Sequence, residues 1–186
     1  LVSAGLPRAL PNMVGQEIVA AFGAENAVAV VSPGDPNAAH SPFVMDGNIS
    51  KSGPAVRFTI NLKSRRSGVV LWSNAYEHEA ADAVAARQAA VGASQVVRCG
   101  LWGASSYKQQ MSDQALSLYL KWCNEHWSGS TNATAELDAA RRVTVAVPGF
   151  SFGWSALALA TVPLAAAQSV EARQLRARGV APPRKT

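Results

Sequence analysis

AVRFTINLK, residues 55–63, alternates throughout: Val56, Phe58, Ile60 and Leu62 face one way, and Arg57, Thr59, Asn61 and Lys63 face the other. A period of two is the signature of a strand with one buried and one wet face. Upstream, FVMDGNIS (43–50) repeats the pattern with Phe43, Met45, Gly47 and Ile49, and KSGP (51–54) has turn chemistry. Downstream, SRRSG (64–68) turns the chain and VVLWSNAY (69–76) brings it back. Three such runs with short connections predict an antiparallel meander. Its apolar face needs a cover. The natural covers are a helix over 11–23, with Val14, Ile18 and Phe22 four apart between Pro11 and Gly23, and an Ala-rich helix over about 80–98.

Between the first helix and the meander lie AVAVVS (27–32), a short apolar run of β-prone residues, and PGDPN (33–37), a turn. After Gly100 the pattern becomes helical throughout. Ser112 is the expected N-cap of a helix with Asp113 in its first turn, and Leu116, Leu120, Cys123 and Trp127 form its apolar stripe. A second helix is expected over about 132–147. A third runs from Ser151 towards Ala167, with Pro163 as a kink or stop. The tail RARGVAPPRKT (176–186) reads as frayed linker.

Apolar residues make up 48% of the 186, enough for a core and too many for a wholly disordered chain. The formal charge of +5 is concentrated at one end. Residues 171–186 carry Arg173, Arg176, Arg178, Arg184 and Lys185 against Glu171, whereas the other 170 residues hold twelve bases and eleven acids. The body is nearly neutral, so a basic nucleic-acid face is not expected. The charge-free run 143–170 is broken by Pro148, Gly149 and Pro163 and reads as buried helix, not membrane span. No basic stretch followed by an apolar core opens the chain, so no signal peptide is expected, and the start at Leu1 reads as a fragment of a larger protein.

No catalytic set is legible. The chain has no Gly-x-Ser-x-Gly elbow, no phosphate loop and no Gly-x-Gly-x-x-Gly after a strand. Glu77, His78, Glu79 and Asp82 read as a solvated cluster where strand meets helix, and Asp35 and His40 sit in a loop without an obvious nucleophile. Arg57, Lys63, Arg65 and Arg66 read as the wet edge of the meander, with a phosphate or acidic partner as the sharper alternative. Cys99 and Cys123 are either a disulfide across 24 residues or two buried thiols; with His126 they give only three metal ligands. Trp102, Tyr107, Trp122 and Trp127 surround the junction of the two regions, as packing between them or as a partner surface. The residues therefore assign no catalytic residue, no cofactor and no metal.

The segment with Gly47, Val56-Arg57-Phe58-Thr59, Ser67-Gly68, Val70-Leu71-Trp72-Ser73 and Tyr76 resembles the TolB amino-terminal-like domain, and more weakly so through the 80–98 helix. Two departures stand out: Arg66-Ser67 replaces the usual acidic residue before Gly68, and the family's strand ahead of the first helix is not clearly present. Residues 117–170 resemble tetratricopeptide repeats. Counting from Ser151, Trp154 takes the large aromatic position, Leu157 the core position and Ala158 the small position, while Pro148 ends the preceding repeat. One period earlier Asn124 stands where a small residue is expected.

The fold class is thus α/β in the α+β sense. A small mixed sheet with an antiparallel meander covered by helices (1–100) is followed by an all-α tetratricopeptide-like hairpin region (101–170) and a basic tail (171–186). This tandem is similar to the sensory region of CadC/ToxR-like transcription regulators and of some adenylate cyclases. The resemblance implies a non-enzymatic sensory or protein-interaction segment. It would answer to a protein partner or small-molecule signal, as monomer or homodimer, with membrane contact only through flanking regions. Paired cysteines would fit the periplasmic version, reduced ones the cytoplasmic. Rival readings are a cell-envelope scaffold and a small hydrolase with an unrecognised site.

Overall fold

The strand read from residues 55–63 lies at the middle of the sheet in a computed structural model, which describes residues 2–3, 9–23, 28–32, 34–128 and 132–177. Strands β1 (Val2–Ser3), β2 (Phe43–Ser52), β3 (Ala55–Ser64) and β4 (Val70–His78) lie in that order. The last three form the antiparallel meander, with Ile49 opposite Phe58 and Phe58 opposite Tyr76. Gly53 (φ 62°) and Gly68 (φ 71°) carry the two hairpin turns in the left-handed region that glycine occupies at little steric cost. A strand does precede the first helix: β1 pairs in parallel with β2 at Asn48 and Ile49.

The two sheet faces separate as the alternation requires. Ile49, Val56, Phe58, Ile60, Leu62 and Trp72 are buried on the inner face. On the outer face Asn61 Nδ2 donates to Asp46 (2.9 Å), Ser73 donates to Asn61 Oδ1 (2.7 Å), and Lys63 pairs with Asp46 at 2.5 Å. Partial burial works to raise the Asp46 carboxyl, but the Lys63 and Asn61 bonds outweigh it and its pKa is lowered. Arg57 lies 3.8 Å from Glu77 across β3 and β4. These exposed pairs contribute little stability each, on the order of 0–1 kcal/mol. They do keep the outer face wet.

Helix α1 (Leu10–Gly23) buries Leu10, Val14 and Phe22 and packs along α2 (Ala83–Ser105), and both belong to the cluster over the inner face. Asp82 caps α2 by accepting from Ala85 N–H at 2.9 Å. The apolar run at 28–32 forms no strand; Val28 and Val30 pack against the core beside the end of α1 instead. Residue 27 lies outside the described residues.

The expected boundary at residue 100 falls inside α2, which continues to Ser105. Gly100, taken from sequence as the point where the pattern changes, and Gly103 are both buried where side chains of the next helix, α3 (Asp113–Trp127), press onto the backbone. A Cβ at Gly100 would collide with Leu120, and one at Gly103 with the Tyr119 ring. The buried side chains of sheet and helices form one contiguous cluster. Helices α4 (Ala133–Ala146) and α5 (Ser151–Ala177) complete the chain. Asn132 caps α4 by accepting from Ala135 N–H (3.0 Å), so capping and packing outweigh the low helix propensity of its valines. Helix α5 passes through Pro163 to Ala177 instead of stopping near 167. Pro163 and Leu159 are both exposed, so the Leu159 carbonyl that loses its donor can meet water. The helix therefore extends into the expected tail at 171–177; residues 178–186 of that tail lie outside the described residues.

This packing sorts the glycines. Gly100→Ala and Gly103→Ala should each lower unfolding free energy by about 1–3 kcal/mol, because overpacking exceeds the gain in helix propensity of about 1 kcal/mol. Gly15→Ala in α1 has nothing within 4 Å of the added methyl and should stabilise by roughly 0.5–1 kcal/mol. Urea unfolding of the three variants checks the opposite signs.

Candidate functional site

Helix α3 sits between the sheet layer and the helical hairpin and is fastened to both. Its first turn is built as the sequence predicts: Ser112 Oγ accepts from Ala115 N–H at 3.2 Å. Asp113 reaches back to the β3–β4 corner, where Ser67 Oγ donates to it at 2.5 Å and Arg66 Nη2 lies 3.4 Å away. The Ser67 bond above all, with Ser64 and Arg66, holds the Asp113 carboxyl below its usual range despite opposing desolvation.

Three turns further on, Asn124 Oδ1 accepts from Trp72 Nε1 and from Asn74 Nδ2, both at 3.1 Å. Asn74 uses the other end of its amide to accept from Ala75 N–H at 2.9 Å. The residue that fits a repeat packing position poorly is therefore the acceptor that docks α3 onto β4. One residue before it, Cys123 is bonded to Cys99 of α2 (S–S 2.06 Å). A loop of this length closed by a disulfide contributes about 3 kcal/mol in the chain-entropy account.

The far side of α3 faces α4. His126 Nδ1 lies 2.8 Å from Glu136 Oε1, and the Trp122 ring stacks between Tyr119 and His126 with centroids 5.6 and 5.0 Å away. Burial pushes the Tyr76 and Tyr119 phenols up to about 12, so neither supplies a phenolate near neutral pH. Tyr76 Oη, His78 Nε2 and Trp122 Nε1 are buried without a hydrogen-bond partner among the described residues.

The four aromatics assigned to the junction divide. Trp122 is only 5% exposed and belongs to the core, not to a partner surface. Tyr107 is half-buried, edge-on to Phe150 at 5.8 Å. Trp102 and Trp127 are about half exposed; Trp102 meets Phe152 edge-on at 5.1 Å. The expected stripe of α3 holds at Leu116, Leu120 and Cys123, but Tyr119 and Trp122 are buried with it where Trp127 is not.

The positions assigned to repeat packing are also rearranged. Pro148 is exposed and its carbonyl accepts from Trp154 Nε1 at 2.8 Å. Trp154 is 52% exposed, Leu157 is half-buried, and Ala158 is exposed. Among the α5 residues whose burial is described, Gly153, Ala156 and Ala160 are the buried ones, on the face towards α4. Trp154, Leu159 and Val162 (64% exposed) therefore point away from it, on a helix with no charged residue before Glu171.

Most of the remaining candidates serve separate structural roles, and Glu79 is exposed. Asp82 is a cap, Glu77 pairs with Arg57, and His78 lies edge-on to Phe58 at 5.8 Å. Asp35 accepts from Asn37 N–H at the head of a short 3-10 turn ending at His40. The basic edge is dispersed: Arg57 and Lys63 have carboxylate partners, Arg65 donates to the carbonyls of Ala38 and Ser41 (3.0 Å each), and Arg66 turns to Asp113. No helix among the described residues is long and apolar enough to cross a membrane. Family models, curated proteins and solved structures all return no match to this chain.

The docking bond is the testable element. Asn124→Ala leaves the Trp72 and Asn74 donors without their acceptor at a partly buried seam and should lower stability by about 1–3 kcal/mol. In the double-mutant cycle with Asn74→Ala the two effects should be non-additive, as for residues sharing a partner. Additive effects in urea unfolding would count against a shared bond.

Proposed function

We propose that this chain is a non-catalytic sensory or protein-interaction segment of a larger bacterial regulatory protein, of the CadC/ToxR-like or adenylate-cyclase-associated kind, working in the periplasm. The observation that carries this reading is the outward face of α5. Trp154, Leu159 and Val162 are all more than half exposed on a charge-free helical stretch, and Val145 of α4 is 81% exposed. A surface helix ordinarily turns polar residues to water, so an outward face this apolar favours a partner surface. The Cys99–Cys123 bond supports an oxidising compartment. Of the polar residues weighed for chemistry, Asp82 caps α2, Glu77 pairs with Arg57 and His78 packs on Phe58, which supports a non-catalytic reading. A state change would pass from the helices to the sheet through α3, since a ligand shifts an equilibrium only by binding two arrangements differently.

Leu159→Glu with Val162→Glu should leave stability within about 0.5 kcal/mol, because both side chains are exposed. In the full-length parent it should abolish the regulated output, read as reporter transcription or cyclic nucleotide formation. A folded double variant with normal regulation contradicts the reading.

A further inference from the structure

We propose that the cavity at the seam of sheet and helices binds a small monocarboxylate with a short apolar body. The cavity measures about 450 Å³, within the roughly 300–1,000 Å³ of small-molecule sites. It lies between the β3–β4 corner and the loop joining α2 to α3. Phe43, Leu101, Met111 and Leu116 give it apolar walls, and Arg66 and Lys108 are its two cations.

The charges select the head group. Asp113 is the one acid among the lining residues, and it is already engaged by Ser67 and Arg66. Arg66 spends a single 3.4 Å contact on it, and its side chain is 61% exposed, so most of its guanidinium donors stay available. Lys108 has no ionic partner among the described residues. The lining thus has one more cation than acid, and a planar carboxylate matches the guanidinium fork. The apolar walls favour an aliphatic body over a bare anion. Gln109 and Gln110 add neutral polar groups to the lining.

The position gives binding a consequence. A ligand here touches β2 and β3 on one side and α2 and α3 on the other, close to the Asp113 fastening. The inference deepens the sensory reading by naming a ligand class, and it rests on that reading only for what the binding would signal.

The probe is octanoate, titrated calorimetrically and by amide chemical shifts into the disulfide-bonded chain, with octylammonium as the charge-reversed control. Octanoate should bind with shifts centred on residues 64–66 and 105–113, and octylammonium should not. Lys108→Gln, which removes no hydrogen bond or ion pair among the described residues, should weaken binding roughly tenfold, and so should Arg66→Gln. Equal binding of both probes, unchanged affinity in both variants, shifts centred elsewhere or no binding at millimolar octanoate each overturns the assignment. Preference for a peptide bearing a free C-terminal carboxylate, with octanoate silent, would overturn it in favour of a protein ligand. None of these outcomes bears on the α5 face, so the regulatory reading stands or falls separately.

Discussion

A single amide oxygen, Asn124 Oδ1, takes hydrogen bonds from two side chains of β4 while the neighbouring Cys123 is tied to α2. These two adjacent residues fix α3 against both parts of the α/β layer. The rest of the arrangement follows. With α3 held there, Leu120 and Tyr119 must lie against α2, and only glycine at 100 and 103 leaves room for them. With those residues buried, Trp122 is drawn into the core and stacks on His126, and His126 meets Glu136 of the next helix. The apolar cluster supplies most of the stabilisation, at about 1.5–3 kcal/mol for each fully buried large side chain. The disulfide, at about 3 kcal/mol, and the Asn124 bonds, at about 1–3 kcal/mol, are smaller. Their importance lies in direction, because hydrophobic burial alone does not fix how a helix sits on a sheet.

That constraint also bears on function. The inner face of the sheet is covered, and on its wet outer face Asp46, Asn61, Ser73 and Lys63 are bonded to one another. Two features stand apart from this packing: the far side of α5 and the cavity beside the Asp113 fastening. One is apolar and extended, suited to a protein surface. The other is small and cationic, suited to a small anion. Both connect to α3, one through α4 and the other directly, so α3 is the element through which the two would be coupled.

The sheet was readable because a period of two in residues 55–63 has one structural solution, and Gly53 and Gly68 mark turns that only a few residues make. The start of α3 was readable because Ser112 caps it as expected; the starts of α2 and α4 lay within three residues of expectation, but Asp82 and Asn132 were not legible as their caps. The ends of α2 and α5 were not readable. Gly100 breaks a helix by propensity, but here its lack of a side chain is used for packing against Leu120, a contact made across 20 residues of sequence. Pro163 reads as a stop, yet its position on the exposed face makes it tolerable. The β-prone run at 27–32 left its structure open, because apolar β-prone residues look alike whether they pair or merely pack; its described part, 28–32, packs. Asn124 was legible only as a misfit to a repeat pattern; nothing local announces that Trp72 and Asn74 wait opposite it. The face of α5 was misread for a related reason: the pattern names the positions that pack in a repeat array, but the neighbour of α5 is α4, which takes Gly153, Ala156 and Ala160.

The central claim is that sheet and helices open as one unit because α3 joins them. Native-state hydrogen exchange across a range of low denaturant measures this directly. The account predicts that the slowest amides of β3 and of α3 converge on the same opening free energy and the same denaturant dependence. If α3 instead opens at clearly lower free energy while β3 stays protected, the two layers are separate units and the account is wrong.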